Sequence, residues 1–252
     1  MTSDTTQTEQ TGRTTRTTAS AEEVRRLLAP VRHVLWDLDG PICRLFAGHP
    51  ADEVARGLVR LIDRLGLGGL LTEGERLDRD PHGVLLGVSR RRPDSGLIGE
   101  LEEWLTRQEL EAVPGAYPTP YADPLIRTWS ALGVGFAVTT NNSPRAAAAY
   151  IDTRGLAGCF PYICGRTADL DLMKPHPHCL LQALDAMGAD PARALMFGDA
   201  VTDFEAAQKA RVPFLGYARN QRKADALLEA GVAPSCIVAS LETVLKALRG
   251  RA

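Results

Sequence analysis

The chain has 252 residues, 44% of them hydrophobic and 24% charged, with a formal net charge of -2 at pH 7. That length buries a proper core in one large or two smaller domains, and the near-neutral balance leaves no footprint for nucleic acid or an anionic membrane. No apolar run approaches the roughly 18 residues that a membrane span needs, and the five cysteines, with no C-x-x-C spacing, read as free thiols of a cytoplasmic protein.

Residues 1–20 are rich in Thr, with Ser, Gln and Gly, and show no apolar periodicity or hydrophobic leader; they read as a disordered tail. Ala21–Leu28 reads as a lead-in helix that Pro30 ends. The next stretch, Val31–Cys43, runs VRHVLWDLDGPIC. Val34, Leu35 and Trp36 make a short apolar strand, and Asp37 and Asp39 break out of it before Gly40 and Pro41 stop it. A buried strand ending in Asp-x-Asp-Gly delivers two carboxyl groups to the C-terminal edge of a sheet, where open α/β folds place their ligands. Like charges this close repel, so the pair should recruit a divalent cation or share a proton.

From Arg44 to about Ala116 the patterns are helical, with little strand. Ala51–Leu65 sets Val54, Leu58, Leu61, Ile62 and Leu65 on one stripe, and Ser95–Glu111 sets Leu97, Ile98, Leu101, Trp104 and Leu105 on one face. These predict amphipathic helices packed on each other as a separate unit, with Pro114–Pro120 as the return linker.

From Tyr121 onward, helices and strands alternate. Helices are predicted over Tyr121–Leu132, Ser143–Thr153, His176–Met187, Thr202–Ala210, Ala224–Glu229 and Ser240–Leu248. Strands are predicted over Val134–Val138, Phe160–Cys164, Ala194–Phe197, Pro213–Tyr217 and Cys236–Ala239. Continuous apolar strands alternating with helices imply a doubly wound, Rossmann-like parallel sheet, so the chain reads as one α/β domain interrupted by a helical insertion. The boundaries predicted are 21–43 and 117–252 for the core and 44–116 for the insertion.

Three strands then end in polar residues at one edge: Asp37 with Asp39, Thr140 with Asn141, and Asp199. Lys174 lies in the loop DLMKPHP before a helix, and Asp203 follows in Gly198-Asp199-x-x-x-Asp203. Singly, each fits a turn, a loop lysine or a helix N-terminus. Together and in this order they resemble the haloacid dehalogenase-like hydrolase superfamily, in the subgroup with a helical cap inserted after the first strand. The resemblance covers about Val31–Leu248.

That resemblance implies a Mg²⁺-dependent phosphatase acting on a small phosphorylated metabolite. Asp37 would be the nucleophile, forming an aspartyl-phosphate, and Asp39 the general acid/base. Asp37 and Asp199 would ligate Mg²⁺ together with the backbone carbonyl of Asp39, and Asp203 would support the ion directly or through water. Thr140 and Lys174 would hold the transferring phosphoryl oxygens, in a phosphate-binding set that includes Gly40 and Asn141. In this superfamily dehalogenation does without an acid two positions after the nucleophile, so Asp39 favours phosphoryl chemistry. Two other readings are a phosphosugar mutase and a catalytically idle binding domain. Arg211 stands where the family often has Gly.

The cap is expected to close over the site and contact the leaving group. Arg44 and the Arg90-Arg91-Arg92 run are candidates for a second anionic group such as the carboxylate of phosphoglycolate, and His49 and His82 are the cap's histidines. The expected partners are the small metabolite alone, with no nucleic acid or membrane, and a monomeric or homodimeric state.

Overall fold

The architecture follows from strands too apolar to leave either face in water. In the computed structural model, which describes residues 18–93 and 95–249, α1 (Ala21–Leu28) leads into β1 (His33–Trp36). A short antiparallel ribbon of β2 (Cys43–Arg44) and β3 (Tyr117–Pro118) brackets four helices: α2 (Ala51–Arg64), α3 (Glu73–Arg76), α4 (Pro81–Arg91) and α5 (Ser95–Ala112). There follow α6 (Ala122–Ala131), β4 (Gly135–Thr139), α7 (Pro144–Thr153), β5 (Tyr162–Cys164) and α8 (His178–Met187). The chain closes with β6 (Ala194–Gly198), α9 (Val201–Ala210), β7 (Phe214–Tyr217), α10 (Gln221–Glu229), β8 (Ile237–Val238) and α11 (Leu241–Arg249).

Six strands form one parallel sheet in the order β5-β4-β1-β6-β7-β8, with β1 and its Asp-bearing end near the centre. Alternate residues of each strand enter different cores, as the two-residue period requires. Val34 and Trp36 face a cluster with α1, α6, α7 and α11, whereas Leu35 faces one with α8, α9 and α10. Phe136 and Val138 of β4 share the first cluster and Ala137 the second, and β6 divides likewise. Trp36 anchors the first face, edge-on to Trp129 at 6.0 Å and Phe136 at 5.7 Å, with Phe197 tilted against it at 4.9 Å.

The inserted helices form a cap with its own core. Val54, Leu58 and Ile62 of α2 pack with Val84 and Val88 of α4 and with Leu101 and Leu105 of α5. Leu170 and Met173 join this cluster from the loop that carries Lys174, so the cap is packed onto that loop. Among the described residues no helix is long and apolar enough to cross a membrane.

Most predicted elements appear with ends shifted by one to three residues. The α10 helix starts earlier than expected because Asn220 caps it, accepting the Lys223 N–H at 3.0 Å. The α4 helix was not assigned from periodicity, although Asp80 at its N-cap and Pro81 at its first position carry a start signal. Residues 1–17 of the expected tail lie outside the described residues, while Ala19 donates its N–H to Ile237 O at 2.7 Å and Ser20 caps α1.

Arg211 occupies the left-handed cap of α9, at φ +58°. A side chain there costs about 1–2 kcal/mol against Gly, partly offset by the extra freedom Gly gives the unfolded chain. Arg211→Gly is therefore expected to stabilise the fold by about 0.5–1 kcal/mol. Urea unfolding checks this, and a lowered midpoint with unchanged slope would contradict it.

Candidate active site

The C-terminal ends of β1, β4 and β6 lie side by side, and each continues into a turn that presents polar groups. At the end of β1 the Asp37 N–H donates to Phe197 O at 2.9 Å, continuing the pairing of β1 with β6 to this residue. Gly40 makes the turn at φ +128°, and a Cβ there would collide with the Asp199 carboxyl group, so only Gly fits. Its carbonyl accepts the Thr119 hydroxyl at 2.5 Å, tying the turn to the strand that returns from the cap.

Oxygen atoms of Asp37, Asp199 and Asp203 lie within 4.8 Å of one another, all three residues buried. Burial raises the Asp37 carboxyl to about 7, against the pull of Lys174 and helped by the charges of Asp203 and Asp199. Burial likewise raises Asp199 to about 6, although Lys223 opposes it, and raises Asp39. The cluster is thus short of positive charge. Asp37 and Asp199 offer hard oxygen donors in this state, which suit a divalent cation such as Mg²⁺. The Asp39 carboxylate stands apart from that group and accepts the Leu45 N–H at 3.0 Å. Asp203 is committed elsewhere: Oδ1 accepts from Lys174 Nζ at 2.6 Å, and Oδ2 accepts the N–H groups of Asp199 and Ala200, each at 3.0 Å.

Lys174 is 4% exposed, and its ammonium donates to Asp37 Oδ1 at 2.9 Å, Thr139 O at 2.9 Å and Asp203 Oδ1. Burial works against that charge, but Asp203 and Asp37 overcome it and raise the Lys174 pKa. Asn141 lines the cavity and positions this lysine. Its Oδ1 accepts the Lys174 N–H at 2.8 Å and its Nδ2 donates to the Lys174 carbonyl at 3.1 Å. The Thr140 hydroxyl exchanges hydrogen bonds with Asn142, donating to Oδ1 and accepting from N–H, both at 3.1 Å.

A cavity of about 420 Å³ opens over these groups. Asp37, Asp39, Thr140, Lys174 and Asp203 line it from the core, and Phe46, Arg79 and His82 from the cap side. Lys223 reaches it too, with Nζ 2.9 Å from Asp199 Oδ2. Sequence reading missed Lys223, whose only local signal is a basic cluster at the start of α10. Arg44 is exposed and stacks over the Tyr117 ring at 5.4 Å. The Arg90–Arg92 run does not line the cavity: Arg91 bonds Glu75 at 2.8 Å and the carbonyls of Leu70 and Gly87. His49 meets Gln108 at 3.2 Å.

The junction of cap and core carries a buried charge network that sequence reading did not foresee. Arg166, after β5, reaches Glu109 of α5 through Nη1 to Oε1 at 2.8 Å and Nη2 to Oε2 at 3.0 Å, with both side chains fully buried. Glu109 also accepts from Asn142 Nδ2 at 3.1 Å and Ser143 N–H at 2.9 Å, and Arg166 donates to Asn141 O at 3.0 Å. The turn after β4 is therefore gripped from the cap. His82 lies between Asp80 and Glu109, each 3.3 Å from a ring nitrogen.

Burial works against the His82 charge, yet Asp80 and Glu109 raise it from 6.5 to about 9. Burial also opposes the Glu109 charge, but Arg166 and His82 lower it from 4.5 to about 2. His82, raised on folding, contributes stability that is full below pH 6.5 and lost as pH rises toward 9. Glu109, lowered on folding, contributes above pH 4.5 and loses that as pH falls toward 2. His82→Gln is expected to lower Tm clearly at about pH 6 and much less at about pH 10; a gap that stays constant would refute the charged imidazole. At about pH 6, Glu109→Gln should cost about 1.5–3 kcal/mol, because Arg166 loses its buried partner but keeps Glu102 at 3.0 Å.

The sequence model of the haloacid dehalogenase-like hydrolases matches residues 31–211. The phosphoglycolate phosphatase of Salmonella choleraesuis is 30% identical over 241 residues, 88% of this chain and 94% of that protein. That of Neisseria meningitidis is 28% identical over 191 residues, 71% of this chain and 77% of its own. Among solved structures, a haloacid dehalogenase-like family hydrolase of Streptococcus pneumoniae superposes with a TM-score of 0.60 at 17% identity, covering 86% of this chain and 97% of that one. A HAD-superfamily hydrolase of subfamily IA from Geobacter sulfurreducens superposes at 0.55 with 22% identity, covering 87% and 97%. A parallel sheet with its carboxylates at one edge, a cap inserted after the first strand and a match over most of the chain agree: the protein belongs to the haloacid dehalogenase-like hydrolase family.

Proposed function

We propose that this hydrolase is a Mg²⁺-dependent phosphatase that releases phosphate from a small phosphorylated metabolite through an aspartyl-phosphate on Asp37. The observation that carries the reading is the Asp37 carboxylate fixed by the buried Lys174 at 2.9 Å beside two further carboxylates. With Oδ1 engaged by Lys174, Asp37 has Oδ2 to attack the phosphorus atom. The P–O bond to the leaving group breaks as the Asp37–phosphorus bond forms. Asp39, with its pKa raised by burial, gives its proton to the departing oxygen. The resulting carboxylate then takes a proton from water, which attacks the phosphorus, frees inorganic phosphate and restores Asp37.

Asp37 and Asp199, with the Asp39 carbonyl, would hold the Mg²⁺, which supplies charge neutralisation for the phosphoryl oxygens. Asp203 anchors Lys174 and caps α9 and so supports that set. Thr140 stands at the cavity wall for a phosphoryl oxygen, and Gly40 allows the close turn. The reading takes 21–43 and 117–252 as the catalytic core and 44–116 as the cap. The five free cysteines fit a reducing, cytoplasmic setting. Phosphoglycolate is the first metabolite to try, since the matched relatives from Salmonella and Neisseria bear its name.

Wild type is expected to release p-nitrophenol from p-nitrophenyl phosphate with Mg²⁺ and to stop when EDTA is added. Asp37→Asn should lower kcat by roughly 10³-fold or more while the fold, followed by circular dichroism, persists. Folded, Mg²⁺-supplied wild type that turns over neither this ester nor phosphoglycolate, and binds no Mg²⁺, would overturn the assignment.

A further inference from the structure

A second cleft, of about 640 Å³, adjoins the cavity and shares Asp39, Phe46 and Arg79 with it. Its remaining wall brings Arg44 from β2 together with Arg219 and Arg222, which flank the start of α10. Four arginines from three separate parts of the chain therefore line one space, in a protein whose net charge is -2. The charged groups opposing them are Asp39 and Asp52. Asp52 is already engaged by Arg56 at 3.0 Å and lies 3.7 Å from Arg79. Among the described residues Arg44, Arg219 and Arg222 make no ion pair, and Arg44 is held by its stacking on Tyr117.

Like charges brought together repel, and the repulsion is relieved by an anion that they surround. Guanidinium groups supply the forked donors that phosphate and carboxylate oxygens accept. The position matters as well. Asp39 lines both spaces, whereas Asp37, Lys174 and Thr140 line the first cavity and not the cleft.

We infer that this cleft is a second oxyanion subsite, and that the substrate is a phosphate ester whose leaving group, a sugar or chain of several carbons, carries another phosphate or carboxylate at its far end. The inference rests on the phosphatase reading for the orientation of the ester, with the scissile phosphate at Asp37 and the second anion against Arg219 and Arg222. The shared chemistry is the terminal oxyanion. Recognition falls on the core as much as on the cap, because both of these arginines belong to the core.

Titration calorimetry on Asp37→Asn, which cannot turn over, tests binding by itself. The ligands are fructose 1,6-bisphosphate, 6-phosphogluconate and glucose 6-phosphate, which present a phosphate, a carboxylate and no charge at the far end. At least one of the first two is expected to bind about tenfold or more tightly than glucose 6-phosphate, and the tighter of them identifies the oxyanion. Adding Arg219→Gln and Arg222→Gln should erase that preference, and Lys at both positions should restore part of it. Equal affinity for all three ligands, or a preference that survives the double Gln change, would overturn the subsite. Folded wild type that turns over neither p-nitrophenyl phosphate nor phosphoglycolate and binds no Mg²⁺ would remove the phosphatase reading without touching these affinities, so the two ideas fail separately.

Discussion

The site depends on one buried ammonium group. Lys174 joins the ends of three elements: Asp37 after β1, the Thr139 carbonyl at the end of β4, and Asp203 in α9. A buried cation is tolerable only when paired and fully hydrogen-bonded, and Lys174 meets that condition with three acceptors for three N–H groups. The dependence is mutual. Without Lys174 the neighbouring carboxylates would lose the charge that keeps Asp37 ionisable near neutrality, and without Asp37 and Asp203 the lysine would be stranded. Its backbone is fixed with equal care, since Asn141 clasps both its N–H and its carbonyl.

The parallel sheet is what makes such a concentration of charge affordable. Carboxylates in the middle of these strands would lie between two apolar cores, whereas at the strand ends they meet backbone N–H groups, a turn and the cavity. Asp203 illustrates the gain, for one carboxylate caps α9, receives two backbone N–H groups and still binds Lys174. Gly40 and Gly198 supply room for this crowding, because a Cβ at either would strike the carboxyl group of Asp199 or Asp203.

What was legible in the sequence is what short-range rules encode. The run from Val34 to Asp37, the alternation after Tyr121 and the spacing of Asp199 and Asp203 depend on neighbours a few residues away, and the structure places them at one sheet edge. Glu109 was illegible for the opposite reason. Within EWLTRQELEA it has the look of any charged residue on the wet face of an amphipathic helix. It is buried only because α5 docks beside Arg166, 57 residues away in the chain. Lys223, Arg219 and Arg222 are hidden in the same way, since a basic run at a helix start reads as solvated surface until β7 sets it beside Asp39 and Asp199. The raised pKa of His82 comes from its helix cap, Asp80, together with the distant Glu109, against burial and Arg166.

This distribution of buried and exposed charge also bears on how the cap meets the core. The contact through α5 is an ion pair with neither side chain exposed, reinforced by hydrogen bonds to Asn141, Asn142 and Ser143. Pulling α5 away would leave Glu109 and Arg166 to be rehydrated together with the turn they hold, so the pair resists separation more than an exposed bridge would. The Lys174 loop adds to that resistance, because Leu170 and Met173 lie in the apolar core of the cap. Elsewhere the cap meets the core across a cleft walled by exposed arginines, which no ion pair spans among the described residues. That cleft carries the positive charge that would draw an anionic ester toward Asp37.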